Sequence, residues 1–181
     1  GVELDGSSNT GSDGVRSTTT GTVGKTALIA GGEIGYAIPV GAMGILDIGA
    51  TYISGSAKLK TSNTDTTATD DVTFEVSDVY TVYIAPTVVL SDSSSLYVKA
   101  GLSHASVKVV GDVSNPADLS GTTIAVGTRT VLESGFFIRT EAGMTDYNEI
   151  SAHGLAAAGT GKTVAKDQSV SADPTVAYGA V

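Results

Sequence analysis

Apolar and polar residues alternate with a period of two through most of this chain, which is the pattern of half-buried β-strands. From Lys25 to Ile38 the even positions are apolar or small, and the odd positions include Lys25 and Glu33. A strand places these two sets on opposite faces. The same alternation predicts strands in six later segments, which are Leu46–Ser54, Tyr80–Val88, Leu96–Val110, Ile124–Leu132, Phe136–Ile150 and Ser169–Val181.

Short and long connections alternate between these segments. The short ones are Val40–Gly44, Ser91–Ser95 and Glu133–Gly135, and the long polar ones are Gly6–Gly21, Thr61–Asp71, Gly111–Gly121 and Ala152–Gln168. This order is typical of an antiparallel up-and-down meander with tight turns at one end and long loops at the other. If Gly1–Leu4 is the end of a first strand, the pattern predicts eight strands in a single domain over residues 1–181.

The polar face of these strands distinguishes a soluble barrel from a membrane barrel. A soluble barrel covers its outside with long charged side chains, whereas a membrane barrel turns apolar residues to lipid and polar ones to its lumen. Here the polar face is mostly Gly, Ala, Thr and Ser, with about one charge per strand. Because buried charges are tolerated only when they are partnered, we predict an ion-pair network in the lumen. Its predicted members are Glu33, Asp47, Glu75, Lys99, Arg129, Arg139, Glu141 and Asp173.

Three aromatic residues of the apolar face fall near the short turns. A membrane barrel carries such residues in a girdle at the membrane interface, and we predict this lipid-facing position for Tyr36, Phe136 and Tyr178. The alternative is that they are core aromatics of a soluble barrel. Asp78 interrupts the alternation by falling on the lipid side, which either a β-bulge near this residue or a position above the membrane on an extended strand would resolve.

Composition and charge narrow the classes of function. The chain has 10 Lys and Arg against 19 Asp and Glu, for a net charge of -9. This acidity argues against nucleic-acid binding, because phosphates are held by surplus cations. The absence of Cys excludes thiol chemistry and thiolate metal sites. No apolar run is long enough for a transmembrane helix, and we expect that any export signal has been removed.

The segment Gly121–Ser151 contains five features in succession. They are a Gly-containing strand, a tight polar turn, an aromatic start to the next strand, an Arg-x-Glu sequence and a tyrosine. The matching residues are Gly127, Glu133–Gly135, Phe136–Phe137, Arg139, Glu141 and Tyr147. This segment resembles the sixth and seventh strands of small outer-membrane barrels of the opacity-protein type. Leu96–Ala105 and Pro174–Val181 look like the fifth and last strands of that family. The chain differs from the family by stopping at Val181 rather than at an aromatic residue.

The pattern and the resemblance together predict an all-β protein, an eight-stranded antiparallel transmembrane β-barrel in a bacterial outer membrane. A barrel of eight strands has an interior just wide enough for side chains to fill, so we predict a plugged lumen. The leading hypothesis is a structural or surface-interaction protein that contacts outer-membrane lipid. Its loops would meet an extracellular ligand or host surface, and neither a metal nor another cofactor is predicted.

His104 and Ser106 support an alternative from another class. Residues i and i+2 share one face of a strand, as a base and a nucleophile would require. Outer-membrane lipid A deacylases use a His-x-Ser of this kind on the lipid-facing wall. The alternation places no acidic residue on the outer face of the neighbouring strands to orient His104. We therefore predict no enzyme activity, with a lipid A deacylase-like hydrolase as the alternative.

Small residues on the polar face support a third hypothesis, a narrow channel. It requires a continuous gap along the lumen beside the residues Gly31, Gly49, Gly101, Gly127 and Gly143. Planar-bilayer recordings distinguish this hypothesis from a plugged barrel.

Two other motifs are weak. Ala156–Thr163 satisfies a loose P-loop pattern, but the strand before it and the helix after it that cradle phosphate are missing. We expect a surface loop there. His153 falls in a loop, and Asp65, Asp70 and Asp71 lack the spacing of an EF-hand, so no metal site is predicted.

Overall fold

The computed structural model describes residues 2–10, 17–26, 28–65, 68–110, 114, 116, 118–134, 136–153 and 169–181. The regular elements within them are β-strands, as the abundance of Val and Thr favours. The strands are β1 (Val2–Thr10), β2 (Ser17–Lys25), β3 (Ala30–Val40), β4 (Gly44–Asp65), β5 (Ala68–Ser91), β6 (Ser94–Val110), β7 (Leu119–Val131), β8 (Phe137–Tyr147), β9 (Ile150–His153) and β10 (Ser169–Ala180). In this part of the chain no helix is long and apolar enough to cross a membrane.

The strands pair antiparallel in one sheet that curls round on itself. The hydrogen-bonded order is β2-β1-β10-β8-β7-β6-β5-β4-β3, with β9 beside β10. The two ends of this order, β2 and β3, are successive segments of the chain separated only by residues 26–29. β8 and β9 are likewise two parts of one interrupted strand. The fold is therefore the predicted eight-stranded up-and-down barrel.

Two of the long connections are shorter than the alternation predicts. β1 continues to Thr10, so the first strand is longer than the predicted stub at Gly1–Leu4. β4 and β5 continue through most of Thr61–Asp71, which was predicted to be a loop. These extensions are rich in Thr, Ser and Asp, so no apolar periodicity marks them as strands. The described residues of the short turns lie where they are predicted, at 41–43, 92–93 and 133–134.

A β-bulge interrupts strand β5 at Asp78, which is one of the two explanations that the alternation leaves open. The register of the β5–β6 pairing shifts between Ser77 and Tyr80, that of the β4–β5 pairing shifts between Ile53 and Ser56, and Asp78 has a φ of 52°. On the facing strand Gly55 has a φ of 128°, a backbone conformation that favours glycine. The Asp78 carboxylate accepts a hydrogen bond from the Tyr52 hydroxyl at 2.8 Å. The bulge lies at the level where the apolar alternation of both strands ends.

Apolar side chains face outward around the wall between the short turns and this bulge. Their exposed fractions reach 78% for Ile34 and 67% for Leu102, the inverse of a soluble core. The alternate positions face inward, and Lys99 among them is only 2% exposed. We call the outward set the apolar band; its members on β3 to β8 include Ile34, Ile48, Val82, Ile84, Val98, Leu102, Ile124, Val126, Ile138 and Met144.

Beyond the band, at the long-loop end, the apolar side chains of the wall point inward instead of outward. Inward residues there are apolar and form one buried cluster of Val76, Ala105, Val107, Val109, Leu119, Tyr147, Ile150, Ala152 and Ala172. Burial raises the pKa of Tyr147 to about 12. This end therefore has the core of a water-soluble protein, and burial of its apolar surface stabilises the base of the long loops.

Candidate functional site: the barrel interior and the outer rim

Four charged residues converge inside the barrel from β3, β6 and β8. The Nζ of Lys99 lies 2.9 Å from Oε2 of Glu33 and 2.7 Å from Oε2 of Glu141. The guanidinium of Arg139 contacts the same two carboxylates, that of Glu141 at 3.3 Å. Two cations and two carboxylates thus neutralise one another, and the Lys99 side chain is 3% exposed. We call these four residues the central cluster.

Two tyrosine hydroxyls complete the hydrogen bonding of the central cluster. The Tyr97 hydroxyl donates to Oε2 of Glu141 at 2.7 Å and accepts from Nε of Arg139 at 2.7 Å. The Tyr178 hydroxyl donates to the other oxygen of Glu141 at 2.8 Å. Tyr97 itself is 1% exposed. These bonds supply the partners that buried charges require.

Glycines on the adjacent, hydrogen-bonded strands make room for the tyrosine rings. Tyrosine hydroxyls lie against three of the glycines named in the channel hypothesis, with Tyr83 over Gly49, Tyr97 over Gly127 and Tyr178 over Gly143. A Cβ on Gly49 would lie 2.5 Å from the Tyr83 oxygen. Gly31 and Gly101 lie against backbone carbonyls of adjacent strands. Beside Gly49, Gly127 and Gly143, tyrosine side chains occupy the space that a channel would need.

Gly127→Ala is expected to lower the free energy of unfolding by about 1–3 kcal/mol, the usual cost of overpacking. Its Cβ would overlap the Tyr97 hydroxyl and the backbone carbonyl of Thr140. Gly32→Ala is the matched control, because a Cβ there meets nothing within 4 Å. Urea titration in detergent micelles, followed by far-ultraviolet circular dichroism, measures both variants. Equal stability of the two would contradict the prediction.

Asp47 and Arg129 form a second ion pair nearer the short turns. Nη2 of Arg129 lies 2.6 Å from Oδ2 of Asp47, and the Thr87 hydroxyl donates to the same oxygen at 3.1 Å. The guanidinium also lies over the ring of Phe137, 5.8 Å from its centroid. Of the eight residues predicted for the lumen, the structure places all but Glu75 and Asp173 in this pair or in the central cluster.

Glu75 is a correction, because it points outward. Its neighbour Val76 is buried in the apolar cluster, and the Glu75 carboxylate lies 3.5 Å from Nζ of Lys58. A hydrogen bond from Ser56 and the charge of Lys58 hold the pKa of Glu75 below its usual value. The bulge at Asp78 is the physical reason, because one inserted residue reverses the facing of all that precede it.

Strand β10 brings two further corrections. Asp173 is exposed between the buried Ala172 and Pro174, so it faces outward. Tyr178 faces inward and bonds Glu141, so it does not belong to the lipid-facing girdle. The apolar residues of β10 lie at its even positions, and this face points inward because Ala172 belongs to the buried cluster at the long-loop end and Val176 packs against it. Alternation along one strand does not distinguish this inward direction from an outward one.

A row of hydroxyls separates the central cluster from the apolar cluster. It crosses four adjacent strands, with oxygen distances of 2.6, 2.5 and 2.6 Å along Thr81, Ser103, Thr123 and Thr145. All four side chains are buried, and each hydroxyl satisfies its neighbour. Sequence reasoning missed this row, because Thr and Ser suit either face of a strand.

Aromatic residues lie at both edges of the apolar band. Near the short turns Tyr36 and Phe136 point outward, each 75% exposed. At the opposite edge Tyr52 and Tyr80 are paired on β4 and β5, and the ring of Tyr80 lies 5.0 Å from that of His104. The second row was not predicted, although both tyrosines are the last apolar-face residues before the bulge.

His104 has a carboxylate beside it on the outer wall. Its Nε2 lies 3.5 Å from Oδ2 of Asp118, an acidic residue outside the strands that the alternation did not place beside it. Asp118 immediately precedes β7, inside the segment Gly111–Gly121 that the alternation assigns to a loop. Ser106 occupies the next outward position on β6. Within the described residues no hydrogen bond joins its hydroxyl to His104.

The remaining candidates add no site. The described residues contain no group of three or more His, Asp or Glu side chains that could hold a metal. Ala156–Thr163 lies outside the described residues, and so do the side chains of Asp65, Asp70, Asp71 and His153.

The chain has a structural likeness to a solved protein structure but no match among family models or curated sequences. The crystal structure of Ail, the attachment invasion locus protein of Yersinia pestis, in complex with the heparin analogue sucrose octasulfate, is similar at 11% identity and a TM-score of 0.36. The match covers 98% of this chain and 96% of that one. The assignment of the fold rests on the strand pairing.

Proposed function

We propose that this protein is a bacterial outer-membrane barrel of the small opacity-protein type, which presents its long loops as an interaction surface. The observation that carries the proposal is the inversion of the wall, with Leu102 exposed and Lys99 buried on the same strand. Apolar area this extensive on a surface marks contact with another apolar phase. An apolar wall around a polar, charge-paired interior is the arrangement of a membrane barrel.

Fractionation and gel mobility test the membrane location. We expect the protein to collect in the outer-membrane fraction, and the folded form to migrate faster than the boiled form in detergent gels. A periplasmic or cytoplasmic protein whose mobility does not change on boiling would contradict the location.

We further propose that the lumen does not conduct. The central cluster, the tyrosines over Gly49, Gly127 and Gly143, and the hydroxyl row support this proposal. In planar bilayers we expect no discrete conductance from the wild type. Stable unitary currents would instead favour the narrow-channel hypothesis.

The interaction role is supported by the construction of the long-loop end. β4 and β5 continue beyond the bulge as a long hairpin, and the apolar cluster beneath the loops gives them a packed base. We expect cells that display the protein to bind cultured epithelial cells, and to lose that binding when residues 61–71 or 111–117 are replaced by short Gly-Ser linkers. A linker that replaces the turn at 92–93 is the control. Undiminished binding by both loop variants would count against this role.

A further inference from the structure

Two lysines and a glutamate form a row across the outer wall at the long-loop end. Lys58 on β4 is paired with Glu75 on β5, and Glu75 is paired with Lys108 on β6. The Glu75 carboxylate lies 3.5 Å from Nζ of Lys58, and both lysines are exposed. We call these three residues the charged row. Two ammonium groups flank one carboxylate in it, so the row carries surplus positive charge on a chain whose net charge is -9.

The bulge at Asp78 places the carboxylate between the two lysines. Lys108 occupies an outward position between the buried residues Val107 and Val109. Glu75 has the odd numbering of the inward positions on the other side of the bulge, but it faces outward because the bulge reverses the alternation. The order of charges in the row, positive, negative and positive, therefore depends on this bulge.

The charged row contains the outward-facing ammonium groups of the side chains that the structure describes. Every other described lysine or arginine side chain lies inside the barrel, in the central cluster or in the pair of Asp47 with Arg129. Carboxylates neutralise those interior cations. Among the described side chains, the row is therefore where lysine can meet an anion outside the wall.

The outward side chains of β4, β5 and β6 change in chemistry between the apolar band and the charged row. The pairing first joins Tyr52, Tyr80 and His104, and then Ser56, Ser77 and Ser106. Lys108 lies four positions after His104, which is about 13 Å along the strand and about 10 Å of height on a strand tilted by ~40°. Hydrocarbon, carbonyl groups and phosphates follow one another in this order across a membrane leaflet. The charged row therefore lies at the level of lipid phosphates.

We propose that the charged row binds a lipid of the outer leaflet whose sugar headgroup carries two phosphates, one at each lysine. Lys58 and Lys108 are two strand spacings apart, about 10 Å, and a lysine ammonium binds phosphate as a point charge. The Glu75 carboxylate between them accepts hydrogen bonds from sugar hydroxyls. The row is thus complementary to a headgroup with phosphates at its ends and hydroxyls in the middle. The inference names the lipid partner of the wall, and it rests on the proposed membrane location.

Glu75 makes the row selective for two phosphates over one. A hydrogen bond from Ser56 holds its carboxylate in the row. A single phosphate midway between the lysines would meet this carboxylate, and the juxtaposition of like charges disfavours binding. A single phosphate at one end would leave the other lysine without a phosphate partner. Both arrangements are weaker than one in which each lysine has its own phosphate.

The test measures the binding of lipids to the purified barrel in detergent micelles by native mass spectrometry. The probes are diphosphoryl lipid A, monophosphoryl lipid A and phosphatidylglycerol, with pyrophosphate as a soluble competitor. We expect diphosphoryl lipid A to bind roughly five- to tenfold more tightly than either other lipid, because each lysine near a membrane surface contributes about a factor of five. We expect an equal concentration of pyrophosphate not to displace it. Gel mobility verifies that each protein is folded.

Lysine substitutions test the row directly. Lys58→Gln and Lys108→Gln should each weaken the binding of diphosphoryl lipid A about fivefold, and the double variant about 25-fold. The charge-conserving variants Lys58→Arg and Lys108→Arg should retain binding, because arginine is also a phosphate ligand. Unchanged binding by the double glutamine variant would overturn the site.

Glu75→Gln tests the selectivity, and Asp92→Asn is its matched control. Both remove one negative charge, but Asp92 lies in a short turn at the opposite end of the barrel. We expect Glu75→Gln to tighten the binding of monophosphoryl lipid A and to narrow the preference for two phosphates, and Asp92→Asn to leave that preference unchanged.

Two results would overturn the identity of the ligand. Equal affinity of the wild type for monophosphoryl and diphosphoryl lipid A would exclude a headgroup recognised by two phosphates. Displacement of the lipid by an equal concentration of pyrophosphate would show that the row takes free phosphate rather than lipid. Either result is distinguishable from failure of the membrane location, because the fractionation measures that location independently.

Discussion

Replacing Lys99 with methionine is expected to lower the free energy of unfolding by about 3–5 kcal/mol, the cost of leaving a buried charge without its partner. Lys99 is 2% exposed and joins Glu33 to Glu141. Without its ammonium, two carboxylates share the single guanidinium of Arg139. Urea titration of the barrel refolded in vesicles, followed by gel mobility, measures the loss.

Two further variants isolate the buried interaction. Lys58→Met removes an outward ammonium that is 61% exposed and lies 3.5 Å from Glu75, and exposed pairs contribute roughly 0–1 kcal/mol. The double variant Lys99→Met with Glu141→Gln removes one charge of each sign. We therefore expect its loss of unfolding free energy to be smaller than the sum of the losses of the two single variants. A cost for Lys99→Met no greater than that for Lys58→Met would show that the central cluster is solvated.

Val98→Arg is expected to destabilise the barrel by about 2–4 kcal/mol, the cost of a cation on the lipid face near the bilayer midplane. Val98 is 56% exposed and paired with Val126 on the adjacent strand. In a soluble barrel the same substitution at an exposed position would change stability by about 0.5 kcal/mol or less. The stability of this variant therefore distinguishes a wall that contacts lipid from a wall that contacts water.

Thr130→Arg is the matched control for Val98→Arg. Thr130 also faces outward, but it is paired with Ser94 at the last step before the short turn. The cost of a cation falls to roughly 0–1 kcal/mol near the interface. In lipid vesicles we therefore expect Thr130→Arg to destabilise the barrel less than Val98→Arg does. Equal and small effects would mean that the apolar band is not in hydrocarbon.

The strand segments could be predicted from the sequence because their signal is local. Period-two alternation between Leu96 and Leu102 gives the facing of β6 without knowledge of any other strand, and the short turns follow from where alternation stops. The same reasoning has a physical limit at Glu75, because the bulge at Asp78 reverses every facing before it. In β10 the apolar positions, Tyr178 among them, face the interior, and the pattern along one strand does not distinguish that direction from lipid.

By itself, the sequence determined the antiparallel meander, the alternation of turn and loop, and the outward direction of the side chains in the apolar band, since each depends on residues within one hairpin. Only the tertiary structure decided which groups meet across the barrel. Glu33 on β3 meets Arg139 on β8 although 106 positions separate them, and Lys99 on β6 reaches the same carboxylate. The curvature of the wall brings these strands face to face, and no pattern along a single strand records how far round the wall its partner lies.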